Sequence, residues 1–312
     1  MNNNIYVVSL SPAFDYILKF DDLVRGKTNR PRETELYPAG KGIHVSMLLN
    51  SLRVPNESLI FSNGKLEPFF YSGLDSIKIK YKKFNSEGDI RINVKLIDKD
   101  QTECSATAPT IKNSELEIFK DYLRNNIKPN DFVVVTGSVP AGVDAKIYSE
   151  IVQITNSLSA HCLVDAFGDS LNLAVKEKPF LIKPNSEELS LTTGIKITSQ
   201  DDLIKAAKIL LSKGVKNILI SQGEEGAIFI NNDIALKCNI GNWNKKLVNA
   251  AGAGDSMLAG FLSEYIKTKD YAQALKMGIV CGSATAYCNK IADSDLIDEL
   301  LKSIDELKVW KI

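Results

Sequence analysis

Two periodicities alternate along this chain, and that alternation restricts its fold more than any other feature. Short apolar runs at Ile5–Leu10, Phe132–Thr136, Cys162–Asp165, Phe180–Lys183 and Ile218–Ser221 read as strands buried on both faces. Between them lie longer segments with apolar residues at helical spacing, among them Ser114–Asn126, Asp144–Ser157 and Asp201–Lys213. Strands buried on both faces need helices on either side, and parallel βαβ units supply them. The expected fold class is therefore α/β, with a doubly wound sheet. Ligands of such sheets gather at the carboxyl ends of the strands. The sequence sets polar turns there: Thr136-Gly137-Ser138, Asp165, Lys183-Pro184-Asn185 and Ser221-Gln222-Gly223.

Residues 10–38 and 77–108 break the rhythm and read as strand excursions. In the second, Arg91, Asn93 and Lys95 alternate with Ile92, Val94 and Leu96, so a strand would place the polar three on one face. A half-exposed edge strand with solubilising charges accounts for that pattern. No linker, repeat or low-complexity tract divides the 312 residues, which are read as one domain, 1–312.

Lys plus Arg and Asp plus Glu number 38 each, so the net charge is zero. Such a chain has no long-range pull toward nucleic acid or an anionic membrane, and any bound anion must be held by local groups. The five cysteines are scattered, without a CxxC pair, and read as reduced core thiols. Two histidines, His44 and His161, speak against a multi-histidine metal site. The opening MNNNIYVVSL lacks the basic-then-apolar pattern of a signal peptide, and no run reaches the ~18 apolar residues of a membrane span. A soluble, cytoplasmic protein is expected.

Four constellations could carry chemistry. Asn249-Ala250-Ala251-Gly252-Ala253-Gly254-Asp255-Ser256 precedes the apolar-periodic run Met257–Ile266. Small residues at a helix start let an anion approach unpaired N–H groups and the positive end of the helix dipole. Asp255 could then accept a proton from a hydroxyl beside that anion, or be a helix-start carboxylate in a tight turn. Asn185 and Glu188, in Lys183-Pro184-Asn185-Ser186-Glu187-Glu188, fit a water-mediated Mg²⁺ contact or a capping box. Ser221-Gln222-Gly223-Glu224-Glu225-Gly226 could wrap a nucleotide phosphate, but a second strand follows, as in a hairpin. Neither a dinucleotide fingerprint nor a Walker A loop is present. Ala39-Gly40-Lys41-Gly42-Ile43-His44 could bring Lys41 to a phosphate, or be a glycine-rich helix entry; an isolated His44 would more often be structural.

These motifs, in collinear order over nearly the whole chain, resemble the ribokinase-like phosphofructokinase-B family of carbohydrate kinases. Ala39–His44 matches its early motif and Asn249–Ser256 its late one. Ser11-Pro12-Ala13-Phe14-Asp15, Arg91-Ile92-Asn93-Val94-Lys95, Thr136-Gly137-Ser138-Val139-Pro140-Ala141-Gly142 and Lys183-Pro184-Asn185 are similar to the phosphosugar branch holding 1-phosphofructokinase and tagatose-6-phosphate kinase. The resemblance implies a three-layer α/β/α sandwich with a small β-sheet lid, to which residues 10–38 and 77–108 would contribute, and a homodimer through that lid. It implies that Asp15 and Asn93 meet the sugar, and that Lys27, Arg30, Gly40, Lys41, His44, Arg91 and Ser138 surround an existing phosphate or the acceptor. ATP would lie along Lys183, Asn185, Ser221, Gly223, Gly226, Gly254 and Gly282-Ser283-Ala284, with Mg²⁺ organised by Asn185 and Glu188 through water.

The mechanism implied is in-line transfer of the ATP γ-phosphoryl to a sugar hydroxyl. Asp255 would be the base, and the N–H groups of Gly252, Ala253 and Gly254 an anion hole. The expected reaction takes fructose 1-phosphate to fructose 1,6-bisphosphate. Tagatose 6-phosphate or fructose 6-phosphate are the alternative acceptors, and a non-catalytic sugar-phosphate-binding protein is the reading from another class. Lys41, Arg91 and Lys95 favour an acceptor that is already phosphorylated. Ala39 stands where the family usually has glycine, His44 where it has asparagine and Ala251 where it has valine or threonine. Phe61-Ser62-Asn63-Gly64-Lys65 is a reduced form of a glycine-rich loop.

Overall fold

The structure, a computed structural model, describes residues 3–312. The first part of the chain runs β1 (Ile5–Ser9), β2 (Ala13–Lys19), β3 (Glu33–Ala39), α1 (Lys41–Ser51), β4 (Glu57–Ser62), α2 (Glu67–Ser76), β5 (Tyr81–Asn85), β6 (Arg91–Ile97) and β7 (Gln101–Ser105). It continues through α3 (Asn113–Asn126), β8 (Phe132–Thr136), α4 (Lys146–Ser157), β9 (His161–Asp165), α5 (Gly168–Lys176), β10 (Leu181–Ile182), α6 (Ser186–Thr193), α7 (Gln200–Ser212) and β11 (Asn217–Ser221). β12 (Ala227–Asn231), β13 (Ala235–Cys238), α8 (Ala253–Thr268), α9 (Tyr271–Ala286), α10 (Ser294–Leu301) and β14 (Val309–Lys311) complete it.

Ten strands form one sheet in the order β14-β13-β12-β11-β10-β9-β8-β1-β4-β5. From β11 to β5 every pairing is parallel, whereas β11 to β14 pair antiparallel. Side chains alternate across β8 as strand geometry requires. Val133 and Val135 pack with Leu116 and Phe119 of α3 and Tyr148 and Ile151 of α4, while Phe132 and Val134 pack with Leu258 and Phe261 of α8 and Val280 of α9. The three-layer α/β/α sandwich follows from strands whose two faces are both apolar. The winding reverses between β1 and β8, so the crevice outside their carboxyl ends is where such a fold takes a ligand.

A second sheet has the order β3-β2-β6-β7. The excursion at 10–38 supplies β2 and most of β3. The excursion at 77–108 divides: β6 and β7 join the small sheet, but β5 pairs in parallel with β4 at the edge of the large one. The reading of β6 as a half-exposed edge strand is also corrected. β6 is an interior strand of the small sheet, and its polar face is the buried one, with Asn93 at 7% and Lys95 at 2% exposure. Burial of that lysine is possible because Asp15, on the neighbouring β2, meets it at 2.6 Å.

Candidate active site

Asn249 shapes the turn before α8: its Oδ1 accepts from the Ala251 N–H at 2.9 Å and its Nδ2 donates to the Asn289 carbonyl at 3.2 Å. Gly252 caps α8 in the left-handed region (φ 81°), which glycine adopts without a Cβ penalty. The Ala253 N–H turns back to the Ala250 carbonyl at 3.2 Å, so this expected anion-hole donor is already engaged. Among the described residues no backbone acceptor takes the N–H groups of Gly252, Gly254 or Asp255. The donor set at this helix start is therefore Gly252, Gly254 and Asp255, not Gly252, Ala253 and Gly254. A Cβ on Gly254 would stand 3.2 Å from Lys183 Nζ, so an ammonium hangs directly over the turn.

That ammonium belongs to a buried charge cluster. Asp165, 1% exposed at the end of β9, meets Lys183 Nζ at 3.2 Å and Lys41 Nζ at 3.5 Å, and accepts from Thr136 Oγ1 at 3.3 Å. Burial would raise its pKa, but the charges of Lys183 and Lys41 outweigh that and hold it below the usual carboxylate value. Asp165 in turn raises the Lys41 pKa against the lowering effect of burial, so Lys41 is a fixed cation.

Lys41 reaches this point because α1 starts hard against the end of β1. Gly42 makes the approach possible, since a Cβ there would fall 2.1 Å from Ser9 Oγ and 2.8 Å from the Val8 carbonyl oxygen. Gly40, at φ 107°, passes Ser11 and Pro12 less tightly: a Cβ there would stand 3.2 Å from the Ser11 carbonyl oxygen and 3.3 Å from Pro12 Cα. One turn on from Lys41, His44 Nδ1 lies 3.0 Å from Asp255 Oδ2. Both side chains are buried, and Asp255 Oδ1 has no protein partner among the described residues.

The small sheet closes the other side. Asp15 is held by Lys95 on Oδ2 and by Asn93 Nδ2, which donates to Oδ1 at 3.0 Å. The charge of Lys95 is thereby matched by Asp15, so of the three cations read as favouring a phosphorylated acceptor this one is not free. Arg91 donates to the Ser11 and Ala106 carbonyls. Among the described residues its Nε, together with Ser9 Oγ, Ser11 Oγ and Asn93 Oδ1, is buried without a partner. Such orphaned polar atoms suit a polar ligand. Ser9, Ser11, Lys41, Arg91, Ser138 and Phe167 line a cavity of about 270 Å³ at the β1/β8 reversal. Lys27 and Arg30 are not brought into it: they stand exposed on the β2–β3 connection. A larger hollow, lined by Arg53, Asn56, Lys80 and Lys267, lies at the amino ends of β1 and β4 and gathers none of the expected site residues.

Residues expected to hold nucleotide fall into two groups. Asn185, Ser221 and Gly223 line one open surface beyond β10 and β11. Gly226, Gly282 and Ala284 are instead required by packing. A Cβ on Gly226 would lie 2.1 Å from the Cys238 carbonyl oxygen, so this glycine closes the β11–β12 hairpin. Gly282 lets α9 approach Ala253 and Met257 of α8, Ala284 is fully buried, and Ser283 is 7% exposed on the same helix. Asn185 and Glu188 form a complete capping box at 2.8 and 2.9 Å, the structural alternative for this pair. Glu188 Oε2 is used in the box, leaving Oε1 for a water of a hydrated cation. Among the described residues no cluster of three metal-ligating side chains exists, so an enclosed all-protein cation cage does not fit. Ser9, Ser11 and Phe167 line the cavity without having been expected there, whereas Thr136 and Asp165, which the sequence sets at the strand-end rim, had no role assigned. The signal at Asp165 is a carboxylate closing an otherwise apolar strand.

An α/β sandwich with free N–H groups at a glycine-rich helix start, a buried carboxylate and two ammoniums near its winding reversal fits a phosphotransferase acting on a small polar molecule. The chain belongs to the pfkB family of carbohydrate kinases, whose pattern matches residues 3–295. Sugar kinases of this family take ATP as phosphate donor, generally with a divalent metal. Over 308 residues, 99% of this chain and all of the relative, it is 33% identical to a 1-phosphofructokinase of Bacillus subtilis. It is 34% identical to one of Borreliella burgdorferi, covering 96% of this chain and 97% of that one. A tagatose-6-phosphate kinase of Staphylococcus epidermidis is 31% identical, covering 98% and 100%. The fold also matches phosphofructokinase-2 from Escherichia coli in complex with substrates and products, with TM-score 0.91 at 20% identity and 97% and 99% coverage. The expected α/β class, family and ATP-dependent sugar-kinase activity are thus borne out.

Proposed function

We propose that this enzyme transfers the γ-phosphoryl group of ATP to the 6-hydroxyl of fructose 1-phosphate, giving fructose 1,6-bisphosphate. One observation carries the reading: at the glycine-rich start of α8, Asp255 keeps Oδ1 without a protein partner among the described residues, and its partner His44 lies one helical turn from Lys41, which lines a cavity with Arg91 and Ser138. The acceptor's existing phosphate would sit against Lys41, Arg91 and Ser138, with its hydroxyls toward Asp15 and Asn93. Asn93 Oδ1, buried without a donor among the described residues, suits a sugar hydroxyl. The two whole-length relatives named 1-phosphofructokinase support this acceptor over tagatose 6-phosphate and fructose 6-phosphate.

In the reaction, the acceptor O–H proton passes to Asp255 Oδ1 as the new P–O bond forms and the bond to the ADP leaving oxygen breaks. A carboxylate is a weak base, but proton loss can be late in a loose transition state. The N–H groups of Gly252, Gly254 and Asp255, with the Lys183 ammonium, would stabilise charge on the transferred group. ATP would extend from there along Asn185, Ser221 and Gly223. Bound through water by Glu188, Mg²⁺ would neutralise phosphate charge. Closure of the small sheet as a lid would exclude water. Its outer face carries Tyr16, Leu18, Leu36, Val94 and Leu96, with Leu36 52% exposed, which favours a homodimer through the lid. Five unpaired cysteines favour a cytoplasmic setting, and among the described residues no helix is long and apolar enough to cross a membrane.

Coupled ADP release over a panel of free and phosphorylated ketohexoses tests the proposal. Turnover is expected to be fastest with fructose 1-phosphate. Preference for tagatose 6-phosphate or fructose 6-phosphate would overturn the acceptor, and activity only on free sugars would overturn the phosphosugar reading. Binding of sugar phosphates without ADP release would mark a non-catalytic binding protein.

A further inference from the structure

The 3.0 Å contact between His44 and Asp255 joins residues 211 positions apart, and the role of Asp255 above does not use it. We propose that His44 is a positioning residue for the phosphoryl-transfer reaction. Its Nδ1–H donates to Asp255 Oδ2 and thereby turns Oδ1 toward the acceptor hydroxyl. The proposal rests on Asp255 being the base.

An ionised carboxylate only accepts hydrogen bonds, so the hydrogen in this contact sits on Nδ1. Asp255 is 4% exposed and His44 9%. A carboxylate so buried needs a donor, and among the described residues His44 is the only side chain that supplies one. The ring is fixed on both sides. Its helix is pinned to β1 through Gly42, and a Cβ on Gly252 would come within 3.4 Å of Nδ1, so the imidazole lies against the anion turn. Lys41 and His44 are three residues apart and share one face of α1. The first turn of that helix therefore delivers a fixed cation to Asp165 and an orienting donor to Asp255.

Side-chain chemistry separates this role from direct contact with the sugar. The amide nitrogen of Asn is one bond beyond Cγ, as Nδ1 is, whereas that of Gln is one bond further and replaces Nε2. In coupled ADP-release assays with fructose 1-phosphate, His44→Ala is expected to lower kcat about 10- to 100-fold, the scale of a misplaced reacting group. KM for both substrates should be little changed. His44→Asn should restore most of kcat, and His44→Gln should not. Rescue by Gln but not Asn, or a raised KM at unchanged kcat, would overturn the proposal and assign the ring to substrate binding.

Ring ¹⁵N spectra of the wild-type enzyme test the hydrogen bond without turnover. There are two histidines, so His161→Gln assigns the signals. At alkaline pH, His44 is expected with hydrogen on Nδ1 and a bare Nε2, and Asp255→Ala should abolish that preference. The opposite tautomer in the wild type would overturn the proposal. A wild-type enzyme that releases no ADP with any acceptor would instead sink the kinase reading, while the spectra still decide the contact.

Discussion

Replacing Gly254 by alanine should separate catalysis from folding at this site. Gly254 is in the first turn of α8 with an ordinary helical backbone, so alanine meets no φ penalty. The added methyl would stand 3.2 Å from Lys183 Nζ and 3.8 Å from Cε, against an ordinary contact of 3.4–4 Å. The far end of a lysine can move the few tenths of an ångström required. Helix propensity favours alanine over glycine by at most about 1 kcal/mol. Stability should therefore hold, with Tm moving by no more than about 2–4 °C, the shift that 1 kcal/mol gives in a large domain. The methyl, however, fills the gap between the Gly254 turn and the Lys183 ammonium. Losing one preorganised donor to the transferred group costs about 3–4 kcal/mol, or roughly 10²–10³ in kcat. Coupled ADP release with fructose 1-phosphate, alongside thermal unfolding, measures both effects. Near-wild-type kcat at unchanged Tm would refute the assignment of this turn to the phosphoryl group.

Asp165→Asn should cost about 3–5 kcal/mol in urea unfolding, because it leaves the Lys183 ammonium, 5% exposed, without its counter-charge. The pH dependence follows from the two shifts. Asp165 is depressed below 3.8, so its contribution is full above the ordinary carboxylate range and disappears as pH falls through its lower folded value. Lys41 is raised above 10.5, so its contribution is full below that value and is lost only as pH climbs through the folded one. Wild-type stability should thus be insensitive to this cluster between roughly pH 5 and 9, and the variant should lack the acid-side component. Gly226→Ala should behave oppositely to Gly254→Ala. Its Cβ would meet backbone 2.1 Å away at φ 90°, so a stability loss above about 2 kcal/mol is expected in thermal melts. Lys95→Met should raise KM for the sugar phosphate more than it lowers kcat, because it leaves Asp15 buried with one partner fewer.

The large sheet was legible because its central strands are apolar on both faces. Phe132–Thr136 has the bounds that sequence predicts, and every residue in it is buried. β5 was not legible: Tyr81-Lys82-Lys83-Phe84-Asn85 is an edge strand with exposed lysines, and nothing local says which sheet it joins. The face of β6 was inverted for a similar reason. A lysine normally marks the solvent side, and only Asp15, eighty residues earlier, explains why Lys95 points inward. At the site, collinear motifs pointed to Lys41, Arg91, Ser138 and Asp255. The glycines divided in ways no motif reveals, since whether Gly226 faces a ligand or the Cys238 carbonyl depends on a neighbouring strand. Ala253 was misassigned as a free donor because its N–H closes a turn that only the folded backbone displays. The His44–Asp255 contact spans 211 positions, and spacing rules reach only across one or two turns.

The role of Asp255 is tested most directly by measuring ADP release and ATP affinity together for Asp255→Asn, with fructose 1-phosphate as acceptor. The amide keeps the shape of the carboxylate but cannot take the hydroxyl proton. ATP affinity is expected to be preserved while turnover drops by about 10²–10⁴, the range for losing a positioned general base. Turnover near the wild-type rate, with ATP still bound, would contradict the assignment of Asp255 as the base.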